Sequence, residues 1–111
     1  MSKDPKILAR HIMESIGFIE EFSKNITKPE FLKSIKTQDA IVRRLEIIGE
    51  AAGNFPEDFR KKYPEIRWEE ISGMRNVLVH EYFKVDLELI WKTVKKDVPK
   101  LKRQILKIID F

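Results

Sequence analysis

The stretch TQDAIVRRLEIIGEAAGN, residues 37–54, decides the fold class, because its apolar residues repeat at helical spacing. They recur every three or four positions, which places them on one face of an α-helix: Ile41, Leu45, Ile48, Ala52 and, just beyond, Phe55. Gly49 and Gly53 leave bare backbone on which another helix can approach closely. We therefore predict a long helix from about Thr37 to Asn54.

Helical signals continue on the N-terminal side of this stretch. Asp4 is a good N-cap and Pro5 suits the first helical position, so a first helix is predicted to start there and to end near Asn25. Thr27 and Glu30 have the spacing of a capping box, which predicts a short helical turn or the start of the next helix.

On the C-terminal side, residues 56–68 form a proline-bounded connector that we expect to be partly helical. A third helix is predicted from about Trp68 to His80 or Tyr82. A fourth follows Asp86, a plausible N-cap, and runs to about residue 110, with an apolar face at helical spacing: Leu87, Ile90, Trp91, Val94, Val98, Leu101, Ile105, Ile108 and Ile109.

Pro99 lies in the middle of the fourth helix and should kink or divide it. The four predicted helices favour an all-α, up-and-down four-helix bundle. With 111 residues the chain is expected to be a single domain, residues 1–111.

Composition excludes several classes of function. The chain has no cysteine, so thiolate catalysis and cysteine-based metal sites are excluded, and a reducing, cytoplasmic location is expected. No apolar run approaches the roughly 20 residues that span a bilayer, and the N-terminus lacks the apolar core of a signal peptide. A net charge of +4 is compatible with a polyanionic partner.

The segment GMRNVLVHEY, residues 73–82, carries the candidate chemistry. On a helical wheel Asn76 and His80 stack one turn apart, on the same polar side as Arg75. A histidine near a helix end can simply bond the last carbonyls. The crowding of Arg75, Asn76, His80 and Tyr82 in one short segment instead favours a functional site.

These residue types suit cleavage of a phosphodiester. Imidazole works as an acid or base near neutral pH, and guanidinium binds a phosphate with two donors. RNA supplies its own 2′-OH nucleophile, so neither a metal nor another cofactor is needed. Cleavage works best with both an acid and a base, so either His11 approaches His80 or a two-fold dimer brings two copies of His80 into one cleft. We favour the dimer.

The segment RNVLVHEY contains the pattern R-x4-H-x-Y and resembles the HepT-like toxins of the HEPN superfamily. DAIVRRLEIIGEA (39–51) resembles the second long helix of that family, and IRWEEISGMRNVLVHEYFKVD (66–86) its most characteristic segment. The resemblance implies an all-α HEPN bundle that forms a homodimer with a composite cleft. It also implies a metal-independent endoribonuclease, the toxin of a toxin–antitoxin pair.

The same resemblance assigns roles to individual residues. Arg75 and His80 would be catalytic, with Asn76 assisting. The expected partner is a minimal nucleotidyltransferase antitoxin, which would neutralise the toxin by transferring AMP to Tyr82. Added bulk and negative charge in a phosphate-binding cleft would exclude RNA.

Other interpretations stay open. The same segment could form a non-catalytic nucleotide-binding or regulatory module that partners a nucleotidyltransferase, or the chain could be a structural helical adaptor. The fourth helix is rich in cations, either an RNA-guiding surface or an ordinary solvated face: Lys92, Lys95, Lys96, Lys100, Lys102, Arg103 and Lys107. Residues 102 and 103 lie on different sides of that helix, which favours the solvated face.

Overall fold

The computed structural model describes residues 3–73 and 86–110, and its regular structure in those ranges is helical. The helices follow one another in the order α1 (Pro5–Ser23), α2 (Lys28–Lys33), α3 (Ile35–Asn54), α4 (Glu57–Lys62), α5 (68–73), α6 (Leu87–Lys92), a π-helical turn (Thr93–Asp97) and α7 (Val98–Ile108). The chain is an all-α helical bundle, as predicted. The predicted end of the third helix lies outside the described residues.

Local sequence signals set the first helix boundaries. The Asp4 carboxylate accepts a hydrogen bond from the backbone N–H of Lys6 at 2.9 Å, and Pro5 opens α1. Thr27 and Glu30 form the predicted capping box at the start of α2. The Glu30 carboxylate accepts the Thr27 backbone N–H at 3.0 Å, and this bond, followed by the one with the Thr27 side chain, lowers the pKa of Glu30.

The helix α3 packs along α1 and supplies much of the core. It begins at Ile35, two residues before the predicted start, because Ser34 caps it by accepting the Thr37 N–H at 3.2 Å. The apolar face predicted for α3 is buried as expected.

The buried apolar residues of the described chain are Leu8, Ala9, Ile12, Ile16, Ile19, Phe31, Ile41, Leu45, Ile48, Ala51, Ala52, Phe55, Ile66, Trp68, Ile90, Val94, Val98, Leu101, Ile105 and Ile109.

The last long helix changes its geometry where proline was predicted to disturb it. The turn Thr93–Asp97 is π-helical, and the backbone N–H of Val98 reaches the carbonyl of Thr93. Pro99 follows immediately, and it has no N–H to offer the carbonyl four residues earlier, with which its ring would also clash. The wider turn moves that carbonyl aside, so α6 and α7 continue as one modified helix.

Among the described residues, no helix combines the length and the apolar character that a membrane crossing requires. Their packing joins α1, α3 and α7 into the main layer, and α2 bridges α3 and α6. In the chain, residues 74–85 lie between the end of the described part of α5 and the start of α6.

Candidate functional site

The predicted site residues Arg75, Asn76, His80 and Tyr82 all lie outside the described residues. The structure instead defines the frame on either side of them. On one side α5 ends its described part at Gly73, two residues before Arg75. On the other side Asp86 opens α6, four residues after Tyr82.

The start of α5 is held by Trp68. Its indole Nε1 donates a hydrogen bond to the Tyr63 carbonyl at 3.0 Å, and the residue as a whole is only 7% exposed. The ring packs 4.8 Å from that of Phe55, at the end of α3, and 6.3 Å from that of Phe59, in α4. Aromatic contacts of this kind are directional as well as apolar, so they fix the position from which α5 leads into the candidate site.

A close approach between α3 and α5 lies just before the candidate site. A Cβ added to Gly53 would lie 2.7 Å from the Ser72 hydroxyl oxygen and 3.6 Å from the Ser72 Cβ. Only glycine fits this distance without a shift of its neighbour. The expectation that bare backbone in residues 49–53 admits another helix is confirmed at Gly53, and the partner is the residue three positions before Arg75.

The C-terminal side of the frame begins with a well-formed cap. The Asp86 carboxylate accepts the backbone N–H of Leu89 at 3.0 Å, as predicted for an N-cap. Ile90, one residue further on, is fully buried, and Glu88 forms an ion pair with Lys28 of α2. The chain therefore enters α6 in a fixed orientation.

A cavity of about 530 Å³ lies between α3, α5 and the α6–α7 helix. Its apolar lining comes from all three elements and includes Leu45, Ile71, Leu89 and Leu101. Polar and charged residues also reach it, among them Arg67, Glu70, Lys100 and Gln104, and so does Gly73. The cavity therefore borders the point at which the chain enters the candidate site.

A second depression, of about 540 Å³, lies beside α4 and the start of α5. Most of its charges are paired with one another, since Lys61 lies 3.3 Å from Glu57 and Arg67 lies 3.0 Å from Glu70. Arg60 also lines it, and its buried Nε has no hydrogen-bond partner in the ranges 3–73 and 86–110. Self-paired charges give this depression little capacity to attract a charged substrate.

His11, the histidine that could have approached His80, is exposed on α1. The charged residues in the middle of α3 have ordinary surroundings. Glu46 lies 3.7 Å from Arg43, whereas the Arg44 guanidinium lies over the Phe18 ring at 4.1 Å. Within the part of the chain that the structure describes, no group of histidine, aspartate and glutamate side chains is placed to hold a metal ion.

Comparison with known proteins identifies the class. Residues 12–108 match the family described as "Ribonuclease HepT-like". Because this match covers most of the chain, the chain belongs to the HepT-like ribonuclease family, and its resemblance to that family is confirmed.

Individual relatives agree with the family match. The chain is 47% identical to "Probable ribonuclease HepT" of Thermococcus cleftensis, over 97% of this chain and 98% of the relative. It is 54% identical to "Gamma-glutamylcyclotransferase and putative RNase" of Methanocaldococcus jannaschii, over 99% of this chain. The chain spans about half the length of that second relative, 50%. No solved structure was found to match the present chain.

Proposed function

We propose that this chain is a metal-independent endoribonuclease, the toxin of a toxin–antitoxin pair. The observation that carries the proposal is the pattern R-x4-H-x-Y at residues 75–82 in a chain of the HepT-like family. Support comes from its position in the chain, because the pattern lies between α5 and α6, which are both anchored, and Gly73, just before it, lines a cavity.

The proposed reaction is an internal transesterification. A neutral imidazole of His80 accepts the proton of the RNA 2′-OH, and the 2′ oxygen forms a bond to the adjacent phosphorus. The bond from phosphorus to the 5′ oxygen breaks, and that oxygen receives a proton from a protonated imidazole. Arg75 binds the phosphate oxygens, on which negative charge builds up, and Asn76 orients the imidazole or the phosphate. The products are a 2′,3′-cyclic phosphate and a 5′-OH.

The test compares alanine variants at the motif with matched variants elsewhere. We expect Arg75→Ala and His80→Ala to abolish cleavage of a fluorescent RNA in the presence of EDTA. His11→Ala and Arg10→Ala remove the same residue types from exposed positions of α1 and should cleave like the parent. If His80→Ala cuts at the parent rate, the assignment fails. RNA binding without any cleavage by the parent would favour the nucleotide-binding module instead.

A homodimer would supply the second imidazole that the reaction needs. One motif carries one histidine, and a two-fold axis near the motif would place two copies in one shared cleft. Subunit mixing tests this: with His80→Ala in exchange with the parent, activity should fall as the square of the parent fraction, since only parent–parent dimers keep both imidazoles. A linear fall would show that each subunit acts alone.

Neutralisation by an antitoxin is the last part of the proposal. A minimal nucleotidyltransferase would transfer AMP from ATP to the Tyr82 hydroxyl, releasing pyrophosphate, and the new negative phosphodiester would repel RNA. Mass spectrometry after incubation with such a partner and ATP should show one added AMP, absent from Tyr82→Phe. Full neutralisation of the toxin with Tyr82 unmodified would contradict it.

A further inference from the structure

Positive charge is concentrated in the C-terminal part of the chain. Residues 86–110 contain seven Lys and Arg against four Asp and Glu, a net +3 of the +4 carried by the whole chain. Sequence alone leaves open whether these cations share a surface. The structure separates them into two groups with different surroundings.

Five of the cations form a single stripe along the α6–α7 helix. They follow one another at intervals of three or four residues, the spacing of one helical face: Lys92, Lys96, Lys100, Arg103 and Lys107. Each stands two positions after a buried apolar residue of the core: Ile90, Val94, Val98, Leu101 and Ile105. Two positions correspond to roughly 200° of helical rotation, so the stripe lies opposite the buried face, and its members are exposed.

The remaining two cations are held by other contacts. Lys102 donates to the carboxylate of Glu20 at 3.0 Å. The Lys95 ammonium lies 4.6 Å from the centre of the Trp91 ring and 3.5 Å from the Ser23 carbonyl. In contrast, the five cations of the stripe have no hydrogen bond or ion pair with any residue that the structure describes. Their charges are therefore not neutralised by any residue in the described ranges.

The stripe also reaches the candidate site. Lys100, its central member, lines the cavity that Gly73 borders, two residues before Arg75. An anionic chain lying along the stripe would therefore pass close to the cavity that Gly73 lines.

We propose that the stripe is a phosphate-binding track that holds the backbone of single-stranded RNA and leads it to the motif. One cation per helical turn, about every 5 Å, gives a regular row of charge suited to successive phosphates. Four of the five residues of the stripe are lysines, whereas protein–protein interfaces are depleted in lysine. Two exposed leucines of the same helix, Leu89 and Leu106, lie separately near its two ends. This inference rests on the proposed function for its choice of RNA.

Binding to an uncleavable RNA tests the track separately from the chemistry. The probe is a fluorescein-labelled, 2′-O-methylated oligonucleotide of mixed sequence, which lacks the nucleophile for cleavage. The stripe variant replaces Lys96, Lys100, Arg103 and Lys107 by Gln. The control variant replaces four lysines that are exposed on α1, in the turn after it, and on α2 and α3, so that it loses the same charge: Lys6, Lys24, Lys33 and Lys36.

Anisotropy titrations at several salt concentrations give the readout. The stripe variant should bind more than tenfold more weakly at 0.1 M salt. Its slope of log K against log salt should fall by about 3, since each single-strand phosphate contact contributes about 0.7. The control variant should keep most of the parent slope. A charge-retaining variant should bind like the parent: Lys96→Arg, Lys100→Arg, Arg103→Lys and Lys107→Arg.

Equal slopes for the stripe and control variants would overturn the track. Circular dichroism of each variant verifies that the exposed substitutions leave the helices intact. Loss of binding in the stripe variant together with a parent that cuts no RNA would support the track and refute the proposed function. Cleavage of RNA by the parent, together with equal slopes for the two variants, would support the proposed function and refute the track.

Discussion

Replacing Gly53 by alanine tests how the end of α3 positions the entrance to the candidate site. The new Cβ would lie 2.7 Å from the Ser72 hydroxyl oxygen, a distance that real Cβ atoms essentially never show, so either Ser72 or α5 must move. Gly17, exposed in α1, is a matched control, because a Cβ there meets nothing within 4 Å.

Two opposing effects set the magnitude. Alanine in place of glycine inside a helix stabilises by about 1 kcal/mol, and this gain should appear undiminished for Gly17→Ala. Forcing an extra carbon into an occupied position destabilises by about 1 to 3 kcal/mol. Gly53→Ala should therefore lie between no change and a loss of about 2 kcal/mol in the free energy of unfolding.

A second substitution identifies the contact responsible. Ser72→Ala removes the hydroxyl oxygen and leaves the Ser72 Cβ at 3.6 Å, an ordinary van der Waals distance. In that background Gly53→Ala should be stabilising, though by less than Gly17→Ala, because Gly53 is the penultimate residue of α3. Urea unfolding followed by circular dichroism, at one fixed protein concentration, measures all five proteins: the parent, three single variants and the double variant.

The reasoning is refuted if Gly53→Ala stabilises the parent as much as it stabilises Ser72→Ala. Cleavage supplies a second readout, because Ser72 lies in α5, three residues before Arg75, and a shift of α5 would move the chain that leads to Arg75. We expect Gly53→Ala to lower the cleavage rate and the Ser72→Ala background to restore it, since misplacement of catalytic groups by 1 Å can lower rates by about 100-fold. Gly17→Ala should leave the rate unchanged.

Two further predictions concern Trp68, which holds the start of α5, and the pH dependence of the free energy of unfolding. Trp68→Phe removes the donor to the Tyr63 carbonyl and should destabilise by about 1 to 3 kcal/mol in urea unfolding. Trp91→Phe breaks no hydrogen bond to a described residue and should cost less. Because the folded-state pKa of Glu30 is lowered below 4.5, its contribution to stability is present above that value and is lost as pH falls through the folded pKa. The stability difference between the parent and Glu30→Gln should therefore shrink as unfolding is measured from pH 6 towards pH 3.

The helices could be predicted from sequence wherever their signals are local. The caps at Asp4, Thr27 and Asp86 each use a side chain within three residues of the bond it makes, so the spacing alone indicated them. The buried face of α3 followed from its apolar repeat for the same reason. The start of α3 was placed two residues late, because Thr37 was taken as its beginning whereas Ser34 is the cap.

Contacts between residues that are far apart in the sequence could not be predicted from it. Nothing in the spacing of Gly53 indicated that its partner would be Ser72, 19 positions later. Which of the C-terminal cations are paired likewise depends on α1, because Glu20 of that helix forms an ion pair with Lys102. Sequence placed residues 102 and 103 on different sides and favoured an ordinary solvated face. The structure shows that Arg103 shares one face with four lysines, and that no residue in the ranges 3–73 and 86–110 pairs with their charges.

The proposed track and the proposed catalytic residues should differ in the kinetic constant that they affect. Cations that hold phosphates away from the bond being broken bind substrate and transition state equally, so removing them should raise KM and leave kcat unchanged. Arg75 and His80 act on charges and protons that change only as the bond breaks, so removing them should lower kcat. If the stripe variant lowered kcat instead, the cations of α6–α7 would belong to the reacting site itself, and the division between a guiding surface and a cleaving motif would be wrong.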